Sequence, residues 1–306
     1  MIDPRVLEEF ELGLDSTRLE ISSVSATVLG YGEISTVFKL SGNSEVACKR
    51  MPLFPDSRAA ENYQRNYEDY CRHLEGAGVE LPQSSNQTVE IQGRPVVLYI
   101  LQKSLPPERF CHKLIHTLDQ EEISGMIRKV VSGVAKVWAF NRQKGPLLEI
   151  ALDGQLSNWV LDGDIESGRL WYVDTSTPLY RINGEEQLDP ELFLESAPSF
   201  LRWIIRRLFL EDVMNRYYDQ RQVMIDLAAN LYKEQRPDLV PTAVSIINDS
   251  CSGLSEPLTE EDVEKYYKED KLIWILFLAF RRIDRWITTK ILRKRYEFVL
   301  PGRIKR

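Results

Sequence analysis

Residues 151–178, "ALDGQLSNWVLDGDIESGRLWYVDTSTP", carry three oxygen-bearing side chains at intervals that suggest chemistry. Asn158 follows Asp153 by five positions, and Asp174 closes a hydrophobic run sixteen residues further on. A general base beside a nucleophilic hydroxyl needs a carboxylate free of metal, and Asp153 has that character. A Mg²⁺ ion bridging nucleotide phosphates takes hard oxygen ligands, one or two of them from protein, and Asn158 with Asp174 would supply these. The turn "DGDIESG" lets the segment fold back as a hairpin of short strands, so that residues sixteen apart can meet at one ion. Composition alone fits polar residues of a surface loop equally well.

Two stretches upstream bear on the same chemistry. In "GYGEISTV", Gly30 and Gly32 allow backbone to approach a ligand closely, and amides exposed in this way can cradle phosphate oxygens. Ser35 stands where a third glycine would complete the pattern, and Val37, two residues later, is placed to cap an adenine ring. An ordinary hairpin also explains the glycines. In "VACKR", Lys49 follows Val46, Ala47 and Cys48 on the next strand, suited to reach under the glycine turn toward phosphate. Its alternative is a strand lysine facing water. The distinguishing feature is the order: G-x-G, A-x-K, D-x-x-x-x-N, then a hydrophobic strand ending in Asp.

On "GYGEISTV", "ACK", "DGQLSN" and "VDTS", the chain from about Thr27 to Pro178 resembles the protein-kinase-like superfamily. It looks closer to the aminoglycoside and choline phosphotransferase branch than to protein kinases proper. The resemblance implies an α+β, bilobal kinase-like fold, with an N-lobe over 1–103 and a mostly helical C-lobe over 104–306. It implies ATP in the cleft, Gly30, Gly32, Ser35, Val37 and Ala47 around the nucleotide, and Lys49 on its α- and β-phosphates. Asp153 is then the catalytic base, and Asn158 and Asp174 hold Mg²⁺. Lys49 should pair with a Glu of the first long helix, Glu68 by spacing or Glu61 as the fallback. Leu101, Gln102 and Lys103 in "LYILQKSL" correspond to the connector whose backbone binds adenine. Two departures stand out: Ala151 replaces the histidine that braces the catalytic loop, and "DTS" lacks the glycine of D-F-G. The A-P-E signature of protein kinases is absent. The expected activity is ATP- and Mg²⁺-dependent transfer to a hydroxyl of a small molecule; the alternative is a nucleotide-binding pseudokinase acting as a scaffold.

These residues need elements to position them. The first hundred residues read as strands around one helix, "PDSRAAENYQRNYEDYCRHLEG", with Asp56 or Ser57 as N-cap. "TVEIQGRPVVLYILQ" reads as a hairpin turning near Gly93, and a short connector is expected near Leu101–Leu105. "EEISGMIRKVVSGVAKVWAFNRQKG" places Ile123, Ile127, Val130, Val134 and Trp138 on one helical face. From Asp189 nearly everything reads helical, with Thr259 and Asp262 as a capping box.

Composition sets outer limits. The 306 residues suffice for two lobes with a substantial core. Cys48, Cys71, Cys111 and Cys251 are scattered and form no constellation with His73, His112 or His116, so neither a zinc site nor a disulfide framework is suggested. The acidic start "MIDPRVLEEFELGLD" does not read as a secretory signal, so a cytoplasmic protein is expected. Charge is uneven: residues 271–306 hold eleven Lys or Arg against Asp284 and Glu297, a local +9 that leaves −16 for the rest of a −7 chain. Within that segment Ile283, Trp286, Ile287 and Ile291 continue an apolar stripe. The favoured expectation is a terminal helix packed on its own acidic body with its basic face in solvent. Peripheral contact with an anionic membrane is the alternative, and nucleic acid is not expected.

Overall fold

A computed structural model describes residues 2–19, 22–32, 34–189, 191–196, 202, 210–251 and 253–301. The N-terminal region is a five-stranded antiparallel sheet. Its strands are β1 (Ala26–Tyr31), β2 (Thr36–Leu40), β3 (Val46–Phe54), β4 (Ser84–Val89) and β5 (Val96–Lys103), in the order β1-β2-β3-β5-β4. The runs "VACKRMPLF" and "VVLYILQ" are buried almost throughout because helices cover both faces of the sheet. On one face α2 (Ser57–Gly76) packs Tyr63, Tyr67, Tyr70 and Leu74 in the same core as Met51 and Ile100. On the other, α1 (Pro4–Gly13) sets Leu7 and Phe10 against Phe38 and Tyr99. The sequence reading expected one helix here; α1 is the second, announced by Asp3 as N-cap and Pro4 in the first turn. Strand alternation sorts β3, so that Met51 joins the α2 side while Cys48 and Arg50 join the α1 side.

A buried charge cluster fastens this second face. Arg50 donates from Nε to Glu11 Oε1 at 2.5 Å and from Nη2 to Glu11 Oε2 at 3.0 Å, and the Tyr99 hydroxyl donates to Glu11 Oε1 at 2.5 Å. Arg94 adds a contact to Glu11 Oε2 at 2.6 Å and another to Glu297 Oε2 at 2.9 Å. Glu297 belongs to the chain's last described segment, whose Val299 packs into the same core. Helix α1, the sheet and this segment are thereby tied together. Burial alone would raise the Glu11 carboxyl, but Arg50, Tyr99 and Arg94 outweigh it and hold the group at about 2.

The C-terminal region is largely helical: α3 (Cys111–Leu114), α4 (Gln120–Lys144), α5 (Glu191–Ser196), α6 (Leu210–Tyr218), α7 (Gln220–Lys233), α8 (Val240–Ser250) and α9 (Glu260–Trp286). Part of the helix expected between Asp189 and Tyr218 lies outside the described residues. Helix α4 starts with a capping box of Asp119 and Glu122, and its apolar stripe forms the spine of the core. Between α4 and α5 run short strands, β6 (Leu148–Ile150), β7 (Trp159–Asp162), β8 (Arg169–Tyr172), β9 (Tyr180–Ile182) and β10 (Glu185–Glu186). β7 and β8 pair as the hairpin expected around "DGDIESG". At Gly133 any Cβ would come within 2.9 Å of the Trp159 ring, so only glycine lets α4 approach this hairpin.

Helix α9 departs from expectation. It opens with the Thr259–Asp262 capping box and docks through one face, where Tyr267 stacks on Tyr232, Asp270 pairs with Lys233, and Leu278 and Arg281 are buried. Of the stripe expected to be covered, Ile283, Trp286 and Ile291 are 47, 57 and 59% exposed, and Leu272 and Leu276 beside it are 59 and 46% exposed. The helix is apolar on two opposite faces, and its own fold occupies one. Among the described residues no helix is long and apolar enough to cross a membrane.

The charge cluster predicts two outcomes. Glu11 ionises at about 2 when folded and near 4.5 when free, so its stabilisation is complete above 4.5 and is lost as pH falls from 4.5 toward 2. That difference is worth about 3 kcal/mol. Urea midpoints should therefore fall between pH 5 and pH 3, and the part due to this group should vanish in Glu11→Gln. Arg50→Met, which strands a buried carboxylate, should destabilise by about 3–5 kcal/mol in the same assay.

Candidate functional site

Cross-strand pairing builds one wall of a cleft. Lys49 of β3 lies opposite Val37 of β2 and Ile100 of β5, and Ala47 lies opposite Gln102. Directly paired residues share a sheet face, so Val37, Ala47, Lys49 and Gln102 all project toward the C-terminal region. The Lys49 ammonium is nearly buried and is held from below: Nζ donates to the Val173 carbonyl at 2.6 Å and pairs with Asp174 Oδ1 at 3.4 Å. Gln102 Nε2 reaches the same carbonyl at 3.4 Å.

The opposite wall is the segment singled out by the sequence. The Asn158 side chain donates from Nδ2 to the Asp153 carbonyl at 3.2 Å, and the Val173 amide donates to the Asn158 carbonyl at 2.9 Å. The Asp153 amide donates to the Tyr172 hydroxyl at 3.2 Å. Asp153, Asn158 and Asp174 therefore meet on one surface, with Lys49 approaching from the sheet. Gly154 lets the loop lie against α7, because a Cβ there would come within 2.9 Å of Val223.

The two unusual motif positions have local explanations. Ala151 is fully buried; its carbonyl accepts from the Tyr70 hydroxyl at 2.7 Å and its amide donates to the Leu179 carbonyl at 2.9 Å. A tyrosine from α2 thus braces the loop from the side. After Asp174 the chain turns without a left-handed residue, since neither Thr175 nor Ser176 has positive φ. Both are buried and hydrogen-bonded: Thr175 Oγ1 donates to the Tyr67 hydroxyl at 3.3 Å, Ser176 Oγ donates to Asp174 Oδ1 at 3.0 Å, and the Ser176 carbonyl accepts from the Tyr63 hydroxyl. No glycine is needed there.

Helix α7 contributes residues that the sequence reading missed. Gln155 Nε2 donates to Asp226 Oδ2 at 2.9 Å, and Lys233 pairs with Asp226 at 3.4 Å and with Asp270 at 3.1 Å. Burial, then the neighbouring carboxylates of Asp226 and Asp174, push the Asp153 carboxyl up to about 8. The signal was present as Asp226, a lone charge inside the apolar run "VMIDLAANLY". Among the described residues no three His, Cys, Asp or Glu side chains gather as a self-sufficient metal site. The donors in the cleft are the hard oxygens of Asp174 and Asn158, which fit an ion that draws its remaining ligands from phosphate and water.

Other expected residues fall elsewhere. Gly30 pairs with Val37 in the β1–β2 hairpin, and the Gly32 amide closes its turn by donating to the Ser35 carbonyl at 2.9 Å. Glu68 and Glu61 are exposed and do not pair with Lys49, whose ion pair is with Asp174. The reason is the rotation of α2: Tyr63, Tyr67, Tyr70 and Leu74 define its inward stripe, which leaves both glutamates on the outer side. Leu101, Gln102 and Lys103 are not a free connector. They lie within β5, paired to β3 on one side, with Leu101 and Gln102 paired to β4 on the other, and the Lys103 and Ser104 amides donate to the Gln83 and Glu45 carbonyls at 2.8 Å. The crossover to the helical region begins after them.

Fold and cleft together define a mixed α/β protein: an antiparallel sheet region and a helical region joined across a Lys–Asp contact. The chain belongs to the family of unknown function DUF6206, whose model matches residues 19–285. No curated protein matches it. Among solved structures it is similar to one described as WaaP in complex with acyl carrier protein. That similarity has 14% identity over 70% of this chain and 89% of the other, at a TM-score of 0.34, too distant to speak for activity or partner.

A histidine at position 151 should harm this chain. Ala151→His forces a large side chain into a filled space beside Tyr70 and should cost about 1–3 kcal/mol or more in chemical denaturation. A neutral result would show that the space beside Tyr70 is not filled.

Proposed function

We propose that this protein is a phosphotransferase of kinase-like fold that moves the terminal phosphoryl group of ATP to a hydroxyl of a small molecule. The observation that best supports this is the convergence of Lys49 with Asp153, Asn158 and Asp174 on one cleft. In this reading Val37 and Ala47 wall the adenine, and Lys49 holds the α- and β-phosphates while Asp174 and the Val173 carbonyl hold Lys49. Asp153 in its ionised form, which its raised pKa confines to the upper part of the pH range, orients the acceptor hydroxyl and takes its proton as the oxygen bonds to the phosphorus, and the bond to the ADP oxygen breaks in line. Gln155, anchored on Asp226, keeps that loop in place. Asn158 and Asp174 would hold Mg²⁺, which would neutralise charge on the phosphates.

The departures from the superfamily pattern do not remove any group that would touch phosphate, metal or acceptor. They remove supports, and Tyr70 and the Thr175–Ser176 hydrogen bonds occupy those places. Without a pairing glutamate on α2, Asp174 has two tasks, orienting Lys49 and holding the ion.

The test is turnover and binding measured on the same preparations. Asp153→Ala should lower phosphoryl transfer, or ATP hydrolysis in the absence of acceptor, by at least about 10²-fold. It should leave the thermal shift produced by Mg²⁺·ATP nearly intact. Asp174→Ala should lose the Mg²⁺-dependent part of that shift. Equal turnover with and without Asp153 would refute the assignment, and a nucleotide shift without turnover across a panel of acceptors would select the scaffold alternative.

A further inference from the structure

The unoccupied face of α9 has the geometry of a surface ligand. Leu272, Leu276, Ala279, Ile283 and Trp286 recur at intervals of four, three, four and three residues, which places them in one row along the helix. All five are exposed. The row runs about 21 Å at 1.5 Å per residue. Ile275, on its flank, is 53% exposed, and just beyond the helix Ile291 and Leu292 are 59% and 56% exposed. Tyr267, Asp270, Leu278 and Arg281 lie on the opposite side and meet the fold. The exposed row is therefore additional to what folding requires of this helix. A contiguous apolar surface of this kind marks a site of interaction.

Charge states what covers it. At the end of the row, Lys290 in the short π-turn Ile287–Ile291 and Arg293 and Lys294 just after it are exposed where the chain reverses at Arg293, which has φ of +53°; they belong to the basic segment 271–306. This segment carries +9, while the rest of the chain carries −16. An anionic lipid surface attracts this end and repels the remainder, so charge orients the molecule with the apolar row inward. A second copy docking through the same row would bring two +9 segments together, which disfavours self-association there. Trp286, between the apolar row and the basic end, stands where an indole prefers to sit, at the boundary of acyl chains and headgroups. The absence of a spanning helix among the described residues fits a helix lying in the interface rather than through it.

We propose that the exposed row of α9, with its basic end, is a docking face for an anionic membrane surface. The face is separate from the cleft, so the proposal does not depend on the proposed phosphotransferase activity.

Vesicle co-sedimentation of the full chain tests it. Wild type should pellet with phosphatidylglycerol vesicles at low salt and remain in solution with phosphatidylcholine vesicles, and 0.5 M salt should weaken the former at least about 10-fold. Leu276→Asp with Ile283→Asp should lose at least about 10-fold in vesicle affinity while keeping wild-type circular dichroism, since both positions are exposed. Lys290→Glu with Lys294→Glu should abolish the preference for phosphatidylglycerol. Three results would overturn the proposal: no pelleting with anionic vesicles, pelleting unchanged in the Asp double variant, or a dimer in light scattering that the same double variant dissolves.

Discussion

The cleft depends on one nearly buried ammonium. Lys49 has left water and needs compensation, and the sheet that carries it offers none: Val37 and Ile100 beside it are apolar. Compensation comes from across the chain, from the Val173 carbonyl and the Asp174 carboxylate. This contact fixes how the sheet region meets the helical region, because shifting either would strand the charge. Once β8 is pinned under β3, the loop 151–158 is pinned too, through the Val173–Asn158 and Tyr172–Asp153 hydrogen bonds. The geometry of the proposed chemistry follows from satisfying one lysine.

Around this contact α2 supplies the supports of the cleft floor. Three tyrosines of α2 form a row of hydroxyls: Tyr63 to the Ser176 carbonyl, Tyr67 with Ser84 and Thr175, Tyr70 to the Ala151 carbonyl. They secure both loop segments of the cleft floor from one helix. The row takes the Thr175 hydroxyl and the backbone carbonyls of Ala151 and Ser176 as its partners. The loop at Ala151 and the turn at Thr175–Ser176 are thus both held from α2 by aromatic hydroxyls.

What the sequence disclosed was local. Strand alternation placed Val37, Ala47 and Lys49 on one face, and the turn at "DGDIESG" brought Asn158 and Asp174 together, because both depend on neighbours within a few residues. The rotation of α2 depends on docking, so spacing misassigned Glu68. Asp226 lies far from the motifs in sequence and acts through space, which no spacing rule captures. Glu11 gave a signal that can be read afterwards: with Leu7 and Leu14 at i−4 and i+3, it sits on the buried stripe of α1, and a carboxylate there implies a buried arginine elsewhere. In α9 two apolar faces are equally periodic, so periodicity cannot say which one docks.

The Lys49–Asp174 contact is proposed to mark a nucleotide-phosphate site. The most direct test is calorimetric titration of Mg²⁺·ATP into the wild-type chain and into Lys49→Met. The account predicts saturable binding of one nucleotide per chain, weakened at least about 10-fold by the substitution while the protein remains folded. Absence of binding to wild type, or equal affinity in the two proteins, would contradict it.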